Sequence, residues 1–357
     1  MQKRDGLMYA PKGKSKPVVG KGEFLFAAIG LDHGHIYGMC NGLIEAGAEL
    51  KWVYDPDPAK LEVFRNTYPE VQVASSRQQV LDDADVKLVA GAAIPSKRCE
   101  LGLDVMDHGK DYFTDKAPFT TLSQLDQARA KVAVRERKYA VYYSERLHSE
   151  CSIYAGNLIQ EGAIGRVVQV IGFGPHRLNA SSRPPWFFEK KLYGGILIDI
   201  GSHQIEQFLF FAGASDATVM NSRVANYNNK QYKELEDFGD ATLTADNGAT
   251  NYFRVDWLTP DGLSAWGDGR ALIVGTDGYI ELRKYLDLCR DPESDHLYLV
   301  NHREMKHIPT HGTVGFPFFG ELILDCLNRT EKAMTQEHTF KAAELCLIAQ
   351  AAAIKVE

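Results

Sequence analysis

The 357-residue chain is short of several features that would settle its class at once. It has no apolar run near the ~18 residues that a membrane span needs, so no membrane partner is expected. It has no basic surplus. A net charge of −7 argues against nucleic acid and anionic lipid as main partners. Its six cysteines (Cys40, Cys99, Cys151, Cys289, Cys326 and Cys346) never form a C-x-x-C pair. Reduced core thiols are therefore expected, with neither a disulfide framework nor a thiolate metal site. There is no internal repeat and no low-complexity tract. The basic segment 1–22 lacks the apolar stretch of a secretory signal. It reads as an extended arm, mobile or laid over a neighbouring subunit, and the cytoplasm is the expected compartment.

What is present starts at Phe24. A short apolar run to Ile29 suits a buried parallel strand. It stops at Gly30 and enters Leu31-Asp32-His33-Gly34-His35, a helix follows to Gly47, and a second strand over 49–54 ends on Asp55. Glycines after a first strand let the backbone approach a pyrophosphate at a helix N-terminus. An acid some 25 residues later can accept from ribose hydroxyls, and its charge favours NAD over NADP. The glycine register is incomplete: Asp32 and His35 stand where the second and third glycines of G-x-G-x-x-G belong. The rival reading is a left-handed turn that packs helix on sheet and binds nothing. His33 and His35 make too sparse a set for a metal, with no Cys or carboxylate nearby in sequence, so they read as turn histidines beside phosphates and no metal is expected.

Strands at 71–74, 86–93, 110–115 and 139–144 alternate with helices. The fold expected for residues 23–147 is a Rossmann-like α/β domain, a doubly wound parallel sheet with its ligand at the carboxyl ends of the strands. Asp115, Lys116 and Ser144 fall at those ends. Residues 148–357 read as a second, α+β domain for substrate binding and oligomerisation. A helix, a strand over 165–174 and a polar loop over 175–193 lead to Gly194-Gly195. Beyond residue 217, strand-like runs succeed one another without helices, as in a large, open, mostly antiparallel sheet. Helices over 317–328 and 339–355 close the chain, free to pack back on the first domain. A sheet with too few helices to cover both faces predicts a homo-oligomer, a dimer or tetramer.

Three stretches together resemble the glucose–fructose oxidoreductase and inositol dehydrogenase (Gfo/Idh/MocA) family. They are the Gly30–Gly38 turn with Asp55, the Asp115-Lys116-Ala117-Pro118 loop, and Gly194-Gly195-Ile196-Leu197-Ile198-Asp199-Ile200-Gly201-Ser202-His203. The second is similar to the family's E-K-P loop, with Asp115 for Glu and Pro118 displaced by Ala117. The third keeps the glycines, acid and histidine of G-G-G-x-L-x-D-x-G-x-H in register. Pro95 sits in a stretch similar to T-P-N-x-x-H, with Ser96 and Cys99 replacing Asn and His.

The resemblance implies an NAD(P)-dependent dehydrogenase acting on sugars, polyols or inositols, with Lys116, Asp199 and His203 as its catalytic residues. His203 is then the expected base, Asp199 an orienting acid and Lys116 the group that stabilises negative charge on oxygen. Gly30, Asp32, His33, Gly34, His35, Asp55, Pro95 and Asp115 are the expected cofactor residues, and Arg146, His176, Arg177 and Trp186 the expected substrate-pocket residues. Two other readings stay open: an NAD-dependent glycosidase of the same fold, and a non-catalytic sensor of cofactor or sugar.

Overall fold

The computed structural model describes residue 11 and residues 16–357. Much of the expected arm, residues 1–10 and 12–15, lies outside the described residues. The rest of it packs on its own chain: Val18 N–H donates to the Ala46 carbonyl at 2.9 Å and Gly22 N–H to Glu49 Oε1 at 2.6 Å.

The described residues form two compact units, 16–142 with 316–339, and 143–315 with 340–357. The first holds β1 (Leu25–Ile29), α1 (His35–Glu45), β2 (Glu49–Tyr54), α2 (Pro58–Thr67), β3 (Gln72–Val73), α3 (Arg77–Asp82), β4 (Val86–Gly91), α4 (Pro95–Asp107), β5 (Asp111–Asp115), α5 (Leu122–Arg135) and β6 (Tyr139–Tyr142). All strands run parallel in the order β3-β2-β1-β4-β5-β6, the doubly wound arrangement. Helix starts follow local chemistry. Asp57, Ser76 and Thr121 each accept a first-turn N–H at α2, α3 and α5, as their positions predict. Residues 316–339 join this unit because α11 of the chain (Pro317–Asn328) packs on α1 at Gly42, where a Cβ would lie 2.4 Å from the Phe319 ring.

The second unit opens with α6 (Ser144–Leu147) and α7 (Glu150–Gln160), then β7 (Val167–Pro175). The 175–193 stretch is more structured than a loop, with two 3-10 turns and α8 (Lys190–Tyr193). After α9 (Ile196–Asp199) and α10 (Gly201–Ala212) come β8 (Ala217–Ala225), β9 (Phe238–Ala245), β10 (Thr250–Asp256), β11 (Arg270–Gly275), β12 (Gly278–Arg283), β13 (His296–Asn301) and β14 (Met305–Pro309). The closing helix, α12 (Gln336–Ala352), stops earlier than expected, and Ile354–Val356 adds an edge strand, β15, beside β8. Neither β14 nor β15 carries an alternating apolar pattern. The sheet has nine strands, of which only β7–β10 and β8–β15 pair in parallel.

Helix α10 covers one face of that sheet. Small residues set the fit: a Cβ at Gly239 would lie 2.7 Å from Ile196, and one at Gly201 3.4 Å from Phe253. Gly194 and Gly195 take φ of 95° and 115°, conformations that L side chains rarely adopt. A Cβ at Gly195 would also stand 2.3 Å from the Gln350 amide, whose oxygen accepts from Leu197 N–H. Gly195→Ala should therefore lower unfolding free energy by about 1–3 kcal/mol. Urea unfolding checks this, and an unchanged midpoint would contradict it.

Candidate functional site

The first unit gathers its polar groups at the carboxyl ends of β1, β4 and β5. Gly30 has φ 78°, and a Cβ there would meet Ala93 at 3.0 Å, so the turn needs glycine. Helix α1 has no side-chain cap at Gly34, and its first turn is met locally: His35 N–H donates to His33 Nδ1 at 3.3 Å, Ile36 N–H to the His33 carbonyl at 3.3 Å and Tyr37 N–H to the Gly34 carbonyl at 3.2 Å. Asp32 is neutralised locally: Oδ1 takes Lys60 Nζ at 2.5 Å and Oδ2 takes Ile94 N–H at 3.1 Å. Asp55 is buried, with Oδ2 accepting Leu31 N–H at 2.7 Å and Oδ1 accepting Asp57 N–H at 2.9 Å. It thus shapes the glycine turn. Pro95 opens α4. The feature of this turn that suits the close approach of a dinucleotide's pyrophosphate is Gly30, whose positive φ and contact with Ala93 exclude a side chain.

His33 and His35 are not isolated in space. Asp115 Oδ2 lies 3.0 Å from His33 Nδ1 and Oδ1 2.8 Å from His35 Nδ1, with all three side chains buried. The carboxylate missing from the local sequence comes from β5, eighty residues on. The three ligand atoms lie within 4.8 Å of one another. Arg98, however, already gives Asp115 Oδ2 its counter-charge at 3.0 Å. The cluster is a charge-compensated network rather than an acid awaiting a cation. For Asp115, burial alone would raise the carboxyl, but His35, Arg98 and His33 outweigh it and hold it well below the usual range. For His33, burial and then His35 outweigh the pull of Asp115 and lower the imidazole to about 3. The sequence reading missed Arg98. It is 1% exposed and donates to the carbonyls of Ala93 (2.7 Å), Ala117 (3.1 Å) and Lys116. Its spacing to Gly102 and Val105 puts it on the buried stripe of α4, a signal legible in sequence. Lys116 is buried at the end of β5.

A cavity of about 860 Å³ opens at the opposite end of the same sheet, lined by Lys110, Asp111 and Lys138 among others, and holds none of the expected site residues.

In the second unit, Gly194-Gly195 lead into α9, which winds through Ile200 (φ −80°, ψ −36°) into α10 with no break in helical sense. Asp199 and His203 are therefore one turn apart, and both are buried. The expected pocket residues divide. His176 sits among aromatic rings, 5.4 Å from Trp257 and 4.5 Å from Trp266 between centroids, with Nδ1 3.1 Å from the Gly174 carbonyl. Arg146 is instead committed inward, its Nε donating to Glu206 at 2.7 Å under the Phe210 ring. Arg177 holds the 260–263 turn through the carbonyls of Pro260 and Leu263. In both arginines the guanidinium already serves framework acceptors. Trp186 packs beside Phe187, whose ring meets Trp257. The tryptophans around His176 come from later strands and loops, and sequence proximity could not bring them in.

The lowered His33 imidazole has a stability consequence. Its folded value lies below the unfolded one, so its contribution is complete above pH ~6.5 and is lost as pH falls toward about 3. Between pH 6 and 4.5, unfolding free energy should drop by up to about 1.4 kcal/mol per pH unit through this group. His33→Gln should flatten that slope in urea titrations at stepped pH. Parallel wild-type and variant curves would contradict it.

A family model for the GFO/IDH/MocA C-terminal domain matches residues 153–281. A crystal structure from Erwinia carotovora atroseptica, of a protein described only by class as an oxidoreductase, is 52% identical. It covers 94% of this chain and 100% of that one, with a TM-score of 0.91. The uncharacterised oxidoreductase YhhX of Escherichia coli is 28% identical over 46% of each chain. A levoglucosan dehydrogenase in complex with NADH, 15% identical, shares the fold with a TM-score of 0.76 over 92% of this chain and 97% of that one. The chain spans about half the length of the curated relatives it matches. Among the described residues no helix is long and apolar enough to cross a membrane. On the full-length match and the family model, the chain belongs to the Gfo/Idh/MocA oxidoreductase family.

Proposed function

We propose that the protein is an NAD(P)-dependent oxidoreductase that transfers a hydride between nicotinamide and a hydroxyl-bearing carbon of a sugar, polyol or inositol. The observation that carries the reading is the Gly194–His203 segment. Its two positive-φ glycines start a winding that sets Asp199 and His203 one turn apart, both buried. The levoglucosan dehydrogenase of the same fold binds NADH, which supports the cofactor class. Gly30, Asp32, His33, Gly34, His35, Asp55, Pro95 and Asp115 would hold the cofactor, and NAD is preferred over NADP because Asp55 is an acid. When bound, the cofactor supplies the hydride acceptor. The remaining work belongs to side chains. His203 takes the hydroxyl proton, Asp199 orients it, and Lys116 steadies the negative charge on oxygen. His176 with Trp257 offers an aromatic wall for the sugar face.

The sensor reading is favoured only by the incomplete glycine register, with Asp32 and His35 in place of its second and third glycines. A sensor would bind NAD and turn over no polyol. A glycosidase would retain cofactor without net reduction.

A screen of NAD and NADP reduction across inositols, aldoses and anhydro-sugars identifies the substrate. His203→Ala should then lower turnover roughly 10²–10⁴-fold with little change in NAD affinity. Lys116→Ala should have a similar effect. If the two groups serve one hydroxyl, the double variant should lose far less than the product of the single losses. Near-normal turnover in His203→Ala would remove the base assignment.

The oligomer and the cytoplasmic location belong to the same proposal. Tyr252, Ile171 and Leu272 are adjacent across β10, β7 and β11 on the face that α10 does not cover, and Tyr279 stands exposed nearby on β12. A second copy of the chain would bury this apolar row. Light scattering at micromolar concentration should report a dimer or tetramer, and a monodisperse monomer would count against it.

A further inference from the structure

The second unit buries a polar cluster that the reading above leaves unused. Glu145, on α6, is almost wholly buried. Its Oε2 accepts Lys284 Nζ at 2.8 Å and Gln204 Nε2 at 3.0 Å. Lys284, with no exposure at all, also donates to Gln207 Oε1 at 2.6 Å, and Gln207 Nε2 donates to the His203 carbonyl at 2.7 Å. The network therefore closes around the first turns of α10. The sequence makes room for it: a Cβ at Gly172 would lie 2.2 Å from Gln204 Oε1, and one at Gly174 2.9 Å from Gln204 Nε2.

The other carboxylate oxygen is differently placed. Among the described residues Glu145 Oε1 takes no hydrogen bond. It lies 3.8 Å from His176 Nε2, and His203 acts on the same carboxylate through its charge. Burial would raise the Glu145 carboxyl, but Lys284, then His203 and His176, outweigh it and bring it to about 2, so it stays ionised at working pH. Nearby charges do not replace it: Arg146 and Glu206 neutralise each other, and Asp199 is the acid already assigned beside His203. A purely structural ion pair would gain by spending both oxygens, since an unmet buried acceptor is destabilising. Here one oxygen is held and the other is left beside the His176 imidazole, while Gln204, which holds the first, is the residue next to His203 on α10.

We propose that Glu145 is a positioning residue for His203. Its unspent oxygen stabilises the imidazolium formed when His203 takes the substrate proton, while Lys284 and Gln204 fix the carboxylate. The proton remains on the imidazole and Glu145 remains a carboxylate throughout. The inference rests on the reading of His203 as base, but its test needs neither substrate nor cofactor. An opposite charge within about 4–6 Å raises an imidazole's proton affinity about ten- to a thousandfold.

The test is an NMR titration of the full-length protein with isotope-labelled histidine, the His203 signal being assigned through His203→Gln. In Glu145→Gln the His203 midpoint should fall by about one pH unit or more, a tenfold or greater loss of proton affinity. Because that variant leaves Lys284 buried without a counter-charge, Glu145→Gln with Lys284→Gln serves as the second. It should show a smaller fall in the same direction, since removing Lys284 together with its counter-charge leaves no buried cation to depress the imidazole further. A folded variant of either kind with the wild-type midpoint would overturn the proposal. A normal shift in a protein that turns over no polyol would leave the pair standing and remove the dehydrogenase reading instead.

Discussion

The first unit depends on one guanidinium. Arg98 reaches from the buried stripe of α4 to three carbonyls and the Asp115 carboxylate. Those acceptors lie after β4 and at the end of β5, so a single side chain ties two strand ends together. Through Asp115 the tie extends to His33 and His35 on the turn after β1. A charge buried this deeply is tolerated only because nearly every donor has an acceptor. Removing it would leave Asp115 short of a counter-charge and the backbone of Lys116 without its anchor. The position of Lys116 is thus set by a residue that does no chemistry.

The second unit solves a comparable problem with a network instead of a hub. Lys284, Glu145, Gln204 and Gln207 form a chain of hydrogen bonds wrapped on α10. Glycines on β7 admit the glutamine, and paired charges cancel the long-range field. Such clusters rarely add stability over apolar packing of the same volume. Their use lies in fixing direction, here the orientation of the helix that carries His203.

Much of this was legible in the sequence, and the limits have physical causes. Buried parallel strands are continuous apolar runs, and helix caps are local, so the order β1 to β6 and the starts of α2, α3 and α5 could be read directly. The glycine-led segment from Gly194 to His203 was legible because backbone geometry demands glycine there. What could not be read is pairing across distance. Asp115 meets two histidines eighty residues away, and Arg98 differs from a surface arginine only by the face of α4 it occupies. The framework bonds of Arg146 and Arg177 were illegible for the converse reason: an arginine's place in the sequence signals equally well a ligand contact, an ion pair or a carbonyl clamp. Edge strands β14 and β15 are short and largely exposed, with no apolar alternation to betray them.

The departures from the family motif are not independent of one another. Asp115 stands where the resemblance implies glutamate, one methylene longer, and His35 stands where it implies a glycine. The imidazole at 35 fills the space a glycine would leave open, and the shorter acid meets it at 2.8 Å without forcing the turn apart. Arg98 then supplies the charge that keeps the acid ionised. Asp32, in the second glycine's place, adds a negative charge near the cradle, but Lys60 and Ile94 N–H both answer it. Each loss of glycine is matched by a partner, which is what an adapted turn shows and a decaying one does not. The eroded glycine pattern is therefore no argument by itself against cofactor binding. The backbone requirement that remains, the positive φ at Gly30, is kept.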